Sequence, residues 1–299
     1  MKSLVNFIFF FFLSVNFASA QEDLLKMLQD QTPKRKEYVI ATFKANKLIN
    51  IHTTETVRKH NLDVRISHLF GNVGNESGGG VHNLYGIDQS ADIRIGFHFG
   101  ITDRLMIGIS RAKRNEDLEG LIKARLLEQT TDNKIPISIS AFTNITYSLK
   151  ESADFKNNTY RFVYCSQLIV ARKFSSRFSL VVIPSFAHRN YVGADDDNNT
   201  FSLSGGFRFK FTPSASIISD FSHTFGRVNL VLPRYDVIGV GIEVETGGHV
   251  FTLMFSNASG ILENDYLVNT MDSWRKGGFK LSFNISRMFK LGKEIEATK

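Results

Sequence analysis

Hydrophobic and polar residues alternate along most of the chain, most clearly from Val237 to Asn257. The first half of this stretch alternates isoleucine and valine with glycine and glutamate. The second half alternates aromatic and aliphatic residues with valine, threonine, methionine and serine. Alternation with a period of two places the two sets on opposite faces of a strand. Thr246-Gly247-Gly248 separates the halves, and glycine accepts the positive φ of a tight hairpin turn. The stretch therefore predicts a β-hairpin.

The same alternation recurs through the chain and predicts about twelve strands, within a range of about 10 to 14. Most of these runs reach the ~9–11 residues that a tilted strand needs to cross a bilayer. Strands of soluble proteins usually contain only ~5–6 residues. A membrane β-barrel is therefore favoured over a soluble β-sandwich or a lipocalin-like barrel. The other predicted strands cover residues 62–70, 91–99, 105–109, 122–126, 135–149, 160–173, 178–186, 201–211, 216–225 and 277–289.

The predicted strands are joined alternately by shorter and longer connections. An even number of strands, with short periplasmic turns and longer extracellular loops, is typical of outer-membrane barrels. The fold class predicted is thus all-β, a transmembrane antiparallel up-and-down β-barrel, with both termini on the periplasmic side. The short connections lie near Thr102 and Asp132 and at Ser175, Pro213 and Gly247, and the longer ones near Gly79, Asn115, Asn157, Asp196, Arg227 and Asp265.

The N-terminus has the features of a cleaved secretory signal. Lys2 precedes an apolar stretch rich in phenylalanine, and Ala18-Ser19-Ala20 forms a small-x-small cleavage site. Glu22–Gln31 has the spacing of a short amphipathic helix, and Val39–Ile51 lacks clean alternation, which suits a short strand or a segment near the barrel mouth. This lead-in is too short for a plug domain. The predicted domains are a signal peptide at 1–20, a periplasmic lead-in at 21–60, the barrel at 61–289 and a polar tail at 290–299.

Several segments resemble an uncharacterised family of outer-membrane β-barrel proteins, catalogued as a domain of unknown function. The resemblance covers nearly the whole mature chain and implies the barrel fold. It implies no reaction or substrate, because the family has no assigned activity. The segments that carry it are Ala41–Glu55, Leu62–Gly71, Tyr85–Gly96, Gly100–Arg111, Thr246–Asn257 and Phe283–Phe289.

Charged side chains fall mainly on the strand face opposite the apolar one, which is the lumen in a barrel. One interpretation is a charged lumen that passes or binds small, perhaps anionic, solutes. The other is a closed interior in which the charges pair with each other, because buried charges must be paired or hydrated. The predicted lumen-lining residues are Asp63, Arg65, Asp92, Arg94, His98, Lys123, Arg125, Arg161, Arg208, Lys210, Asp220, Glu243, Glu245 and Lys280.

No catalytic, cofactor or metal site is predicted. Cys165 is the only cysteine, so neither an intrachain disulfide nor a site built from several cysteines can form. The histidines show no metal-ligating spacing, and the adjacent pairs Ser67-His68 and Ser222-His223 point to opposite sides of a strand. The acidic loop Ala194–Asn199 lacks the glycine and distal glutamate of a full calcium loop. A net charge of +7 without a nucleic-acid motif favours a basic barrel lining or lipid phosphate contacts over nucleic-acid binding.

The leading functional hypothesis is a pore or transporter for small polar solutes in the outer membrane of a Gram-negative-type cell. The alternatives are a closed structural or accessory barrel that binds a periplasmic or surface partner, for example through Glu22–Lys36, and a less favoured lipid-acting enzyme. Expected partners are the bilayer with its outer-membrane lipids and the barrel-insertion machinery, because Phe289 resembles the aromatic residue that ends many such barrels.

Overall fold

A computed structural model describes residues 36–153, 155–193, 196–226 and 233–291. Residues 38–299 form one compact unit, separate from residues 1–37, and the description concerns that unit. The predicted helix at Glu22–Gln31, the signal peptide and most of the C-terminal tail lie outside the described residues. Among those described, no helix is long and apolar enough to cross a membrane.

The unit is a closed barrel of twelve antiparallel strands, each paired with its neighbours in sequence. The first and last strands close it, with Ile66 opposite Ile285. This confirms the predicted up-and-down barrel and its strand number. The strands are β1 Asn61–Asn72, β2 Ser90–Gly100, β3 Leu105–Ala112, β4 Asp117–Leu127, β5 Ser138–Ser148, β6 Phe162–Lys173, β7 Phe178–Arg189, β8 Asn199–Lys210, β9 Ala215–Thr224, β10 Val237–Thr246, β11 His249–Ser256 and β12 Lys280–Lys290.

The two faces of the barrel follow the alternation in the sequence. In β9, Ile217 and Phe221 are each 45% exposed on the outer face, whereas the intervening Asp220 is 2% exposed on the inner face. In β10, Ile238, Val240 and their apolar neighbours likewise face outward. The outer face is therefore a continuous apolar surface, and the inner face is polar, which is the arrangement of transmembrane barrels.

The two ends of the barrel differ in their connections. At the terminal end, where β1 begins and β12 ends, most neighbouring strands are joined by short turns such as residues 247–248. The opposite end, called the loop end, carries long connections such as residues 73–89 and 257–279. One connection at each end of the barrel differs from the prediction. Residues 113–116 form a short turn at the loop end, and residues 128–137 form a longer connection at the terminal end.

Two irregular segments fill the interior. Residues 38–57, called the plug, enter from the terminal end, and their side chains are buried from Thr42 to Thr54 apart from Lys44. Residues 257–279, called the inserted loop, enter from the loop end, and Glu263–Tyr266 form one short helical turn, α1, that is fully buried. The expectation of a strand at Val39–Ile51 is corrected, and the expected mouth position holds only for residues 39–41, where Ile40 is exposed, because residues 42–51 lie inside the barrel. This stretch pairs with no strand, which explains its lack of alternation.

Candidate functional site

The plug forms a hairpin-shaped excursion into the lumen. At one end Val39 N–H donates to the Gln129 carbonyl, and at the other Lys59 bridges Gly100, so both ends lie at the terminal end of the barrel. The tip is closed by a bridge between Lys47 and His52 and by a 2.9 Å hydrogen bond from Leu48 N–H to the Ile51 carbonyl. The chain therefore enters and leaves by the same opening.

A single carboxylate on the barrel wall holds the tip of the plug. Asp220 Oδ2 accepts hydrogen bonds from the backbone N–H groups of Ile49 (3.2 Å), Asn50 (2.7 Å) and Ile51 (3.2 Å). Its Oδ1 accepts a fourth from Asn50 Nδ2 at 2.8 Å. Hydrogen bonds to an ionised acceptor are stronger than neutral ones. The sequence predicts Asp220 only as a lumen residue. In the structure it accepts hydrogen bonds from three backbone N–H groups of a turn that does not pair with any strand.

Two glycines of the wall leave space for the plug. A Cβ at Gly239 would lie 2.6 Å from Asp220 Oδ1, 2.8 Å from a methyl of Ile49 and 2.9 Å from Asn50 Nδ2. A Cβ at Gly206 would lie 2.8 Å from a methyl of Leu48 and 2.9 Å from one of Ile51. The wall is therefore shaped to the plug, and any side chain at Gly239 conflicts with its seat.

The plug and the inserted loop meet in the middle of the lumen. Lys47 Nζ of the plug lies 2.8 Å from Glu263 Oε1 of α1, and both side chains are buried. His52 Nε2 lies 3.2 Å from the same oxygen, but outside hydrogen-bond geometry. A buried ion pair of this kind is costly to break on one side, because the remaining charge has no water around it. The pair therefore links the two segments that fill the barrel.

This ion pair continues into the wall through Asn144. Asn144 Nδ2 donates to Glu263 Oε2 at 2.9 Å and to Glu119 Oε1 at 2.8 Å. Glu119 in turn pairs with Arg94 at 2.6 Å and accepts from Ser110 Oγ at 2.6 Å. Arg94, predicted from its parity, is thus fully buried in a polar network rather than lining open space.

Further lumen charges also pair on or near the wall. Arg208 Nε lies 2.8 Å from Glu243 Oε1 in the interior. At the terminal end Arg125 pairs with Glu55 at 3.3 Å and with Glu128 at 2.8 Å. These contacts leave little free charge in the part of the lumen that the structure describes.

Three more of the predicted residues lie near the barrel ends, and a fourth lies outside the strands. Glu245 contacts Lys44 of the plug, Lys280 pairs with Asp272 of the inserted loop at 2.6 Å, and Lys210 is half-buried near the terminal end of β8. Arg161 does not lie in a strand, because a 3-10 turn at Asn158–Arg161 precedes β6. Its guanidinium donates to the carbonyls of Ser148 and Lys150 at the loop end. Parity identifies the inward face only within a strand, so it does not predict the position of a residue that lies outside the strand.

The loop end carries a cluster of buried carboxylates beside α1. Asp92 accepts backbone N–H bonds from Lys113, Arg114 and Ile261, and so ties the inserted loop to β2. Asp265 Oδ1 accepts from Asn115, whereas its Oδ2 has no hydrogen-bond partner among the described residues. Burial, and then the charge of Asp117, raise the pKa of Asp265 to about 8.

Sequence reasoning missed Lys47, His52, Glu119 and Glu263. Glu119 shares the parity of Lys123. Extending the strand predicted at residues 122–126 back to residue 119 would therefore have identified Glu119 as inward-facing. Lys47 and Glu263 are 216 residues apart in irregular segments, so no local pattern pairs them.

Among the described residues, no group of three histidine, cysteine or acidic side chains is arranged to hold a metal ion. Cys165 is buried in the wall.

Comparison with known sequences identifies the family. Residues 43–289 match the family described as "Membrane bound beta barrel domain (DUF5777)". The chain belongs to this family. Its membrane-bound barrel domain thus includes most of the plug as well as all twelve strands, so the plug is part of the domain and not an appendage. A search among curated proteins finds no match.

Several solved structures share the barrel shape of this family member. The NanC porin aligns with a TM-score of 0.49 and 9% identity, over 77% of this chain and 100% of that chain. The KdgM porin aligns at 0.45 and 9%, over 77% and 98%. Omp33 of Acinetobacter baumannii aligns at 0.40 and 7%, over 77% and 99%. At these values the likeness carries no argument about the function of this chain.

Proposed function

We propose that this protein is a gated outer-membrane pore for small polar solutes, closed at rest by the plug. The observation that carries the proposal is the plug itself, a withdrawable hairpin of chain seated on a polar wall by hydrogen bonds from Asp220. A pore of this kind performs no catalysis, and the buried, wall-embedded Cys165 is consistent with that.

The wall behind the plug suits an aqueous path. Many of its inward-facing positions are small and polar, so water can wet them once the plug leaves, whereas Met106, Ile183 and other wall residues are large and apolar. A barrel meant only to be solid fills its interior with the wall's own large side chains. Here a separate chain segment fills it instead. The small polar wall residues that are buried include Ser140, Thr146, Ser179, Ser185, Ser202, Ser204, Ser216, Ser222, Thr252, Ser256, Ser282 and Ser286.

The topology of the plug permits withdrawal. Because the segment enters and leaves at the terminal end, it can retract without threading through the barrel. Its polar contacts with the wall are hydrogen bonds and ion pairs, which water can replace. Phe43, Leu48 and Ile51 also belong to one buried apolar cluster with wall residues, and withdrawal must offset the cost of exposing that cluster. The inserted loop, by contrast, is joined to β11 and β12 at the loop end. We therefore assign the moving part to the plug.

The test is conductance of the refolded protein in planar bilayers with Gly239→Val. Valine suits a strand, yet its side chain would occupy the seat of Ile49 and Asn50. We expect the wild type to be closed most of the time and the variant to open at least ~10-fold more often, a change that about 1.4 kcal/mol of unfavourable plug contact produces.

The matched control is Gly205→Val. A Cβ at Gly205 meets only a carbonyl at 3.7 Å and points to the outer face, so this variant should behave as the wild type. Silent recordings from a folded, heat-modifiable Gly239→Val barrel would refute the gated pore.

A closed accessory barrel is the second candidate. The buried Lys47–Glu263 pair favours it, because it connects the plug to the inserted loop and blocks the described lumen from both ends. In that case both glycine variants stay silent, and deleting Glu22–Lys36 should release a partner complex from membrane extracts.

A further inference from the structure

Arg65 on the wall of β1 carries a buried charge whose one ion pair, with Asp63, is long. Its side chain is 3% exposed, and its guanidinium makes no hydrogen bond with the described residues. The nearest carboxylate oxygen, Asp63 Oδ2, lies 4.0 Å from Nε, beyond hydrogen-bond distance. Buried charges are normally both paired and hydrogen-bonded. We infer that Arg65 is the anchor of a binding site for a small carboxylate in the cavity at the terminal end.

Asp63 forms a long ion pair with Arg65 but accepts no hydrogen bond from it, because its oxygens accept from other groups. Oδ1 accepts a short hydrogen bond from Ser286 Oγ. Oδ2 accepts from Asn46 Nδ2 at 3.3 Å and lies 3.5 Å from His98 Nδ1. The arginine therefore stays available to an incoming anion.

A second buried cation lies close by. Lys123 of β4 is fully buried, and its one described hydrogen bond runs 3.2 Å from Nζ to the Asn46 carbonyl. No carboxylate of the described chain lies within ion-pair distance of it. Arg65 and Lys123 also repel each other electrostatically. Lys123 does not line the cavity, so Arg65 is the buried basic side chain that can contact a ligand there.

The cavity has room for such a ligand. Its volume is about 540 Å³, and Arg65, Asn46 and Phe43 contribute to its lining. Small-molecule sites commonly enclose roughly 300–1,000 Å³. Of the other cations around it, Lys44 contacts Glu245, Arg125 contacts two glutamates, and Arg58 is exposed to solvent. Among the described basic residues that line this cavity, Arg65 is the buried one, and its guanidinium donates no hydrogen bond.

The geometry of the Arg65 guanidinium indicates which class of ligand the cavity binds. A guanidinium presents a planar fork of donors that matches a carboxylate with two parallel hydrogen bonds. The site deepens the proposed pore by naming a solute class, and in that respect it rests on the proposed function. Binding itself requires only the closed barrel, because the cavity exists with the plug in place.

The experiment measures binding of succinate to the full, detergent-refolded barrel by calorimetry. Succinamide, which has the same length and no charge, is the ligand control. We expect succinate to bind the wild type, succinamide not to bind, and Arg65→Gln to weaken succinate binding by about 10- to 100-fold, the range expected for losing hydrogen bonds to a charged group.

Two further variants keep the test decisive. Arg208→Gln removes an arginine that is already paired with Glu243, and it should leave succinate binding unchanged. Arg65→Lys keeps the charge but loses the fork, and it should bind with intermediate affinity even if Arg65→Gln fails to fold.

Three results would overturn the carboxylate site. They are absent succinate binding by the wild type, equal binding by Arg65→Gln, and inorganic phosphate binding as tightly as succinate. These failures are distinct from failure of the pore, because Gly239→Val tests opening by conductance without any carboxylate present.

Discussion

The plug and the inserted loop fill the same lumen, but they are held in different ways. The inserted loop has its own helical turn, is continuous with β11 and β12, and is tied to the wall by Asp92. The described plug has two backbone hydrogen bonds of its own near the tip, from Leu48 N–H to Ile51 and from Thr53 N–H to Asn46, and the N–H groups of residues 49–51 depend on Asp220. Because backbone N–H groups of the plug tip donate to one side chain of the wall, loss of that acceptor can release the plug. The comparison therefore indicates a fixed closure at the loop end and a releasable one at the terminal end.

The largest expected effect comes from breaking the contact between the two segments. Lys47→Met leaves Glu263 buried without its cation, which costs on the order of 3–5 kcal/mol. We expect the plug to become accessible to added protease and the pore to open far more often.

The matched control for that variant is Lys44→Met. Lys44 contacts Glu245, but both side chains are about one-third exposed, so the loss should be below about 1 kcal/mol. A double variant, Lys47→Met with Glu263→Gln, removes both charges and should recover part of the closure. Equal behaviour of Lys47→Met and Lys44→Met would mean that the two segments are not coupled.

The second-largest expected effect tests whether the plug and the inserted loop are held by different contacts. Asp220→Ala removes the acceptor of three backbone N–H groups and one side-chain amide, at a cost on the order of 3 kcal/mol. Hydrogen exchange should rise at residues 49–51 and stay unchanged in α1. Ser222→Ala, on the same face of β9, is the control. Protection lost equally in both segments would show that they form one closure.

The smallest effect concerns the inserted loop and pH. The pKa of Asp265 is about 8 in the folded barrel, against 3.8 ordinarily. A carboxyl with a raised pKa contributes its stability fully below about pH 4, and loses it as pH rises toward 8. Exchange protection of α1 should therefore fall by about tenfold or more between pH 5 and pH 8.

Asp265→Asn provides the comparison for the pH effect. The amide is neutral at every pH in this range, so protection of α1 in the variant should be nearly constant. The plug should show no such decline in either protein. A wild type whose α1 protection is flat from pH 5 to pH 8 would contradict the buried, protonated carboxyl.

Sequence alone predicts the wall better than it predicts what fills it. Ile238 and Val240 belong to a two-residue period because a strand with one outer and one inner face imposes it. The plug has no such face, since Phe43 and Leu48 are surrounded by the wall on all sides. Its residues therefore show no periodic pattern. The lead-in is too short for a plug domain, as expected, but a single hairpin of chain is long enough to enter the lumen.

The candidate site follows the same division. Parity placed Asp220, Arg65 and Arg94 on strands with the correct inward face. Parity does not identify partners, because Lys47 and Glu263 meet only when two irregular segments enter from opposite ends. The pairing of charges across the lumen is a property of the tertiary fold.

The central claim is that the plug occupies the lumen at rest and leaves it when the pore opens. The most direct measurement is bilayer conductance of Asn50→Cys with Ser256→Cys, in a Cys165→Ser background. The replaced side chains touch across plug and wall, with Asn50 Nδ2 3.1 Å from Ser256 Oγ. We predict silence when the two cysteines are oxidised to a disulfide, and openings after reduction. The same conductance in both redox states, with the disulfide verified, would contradict a gate formed by the plug.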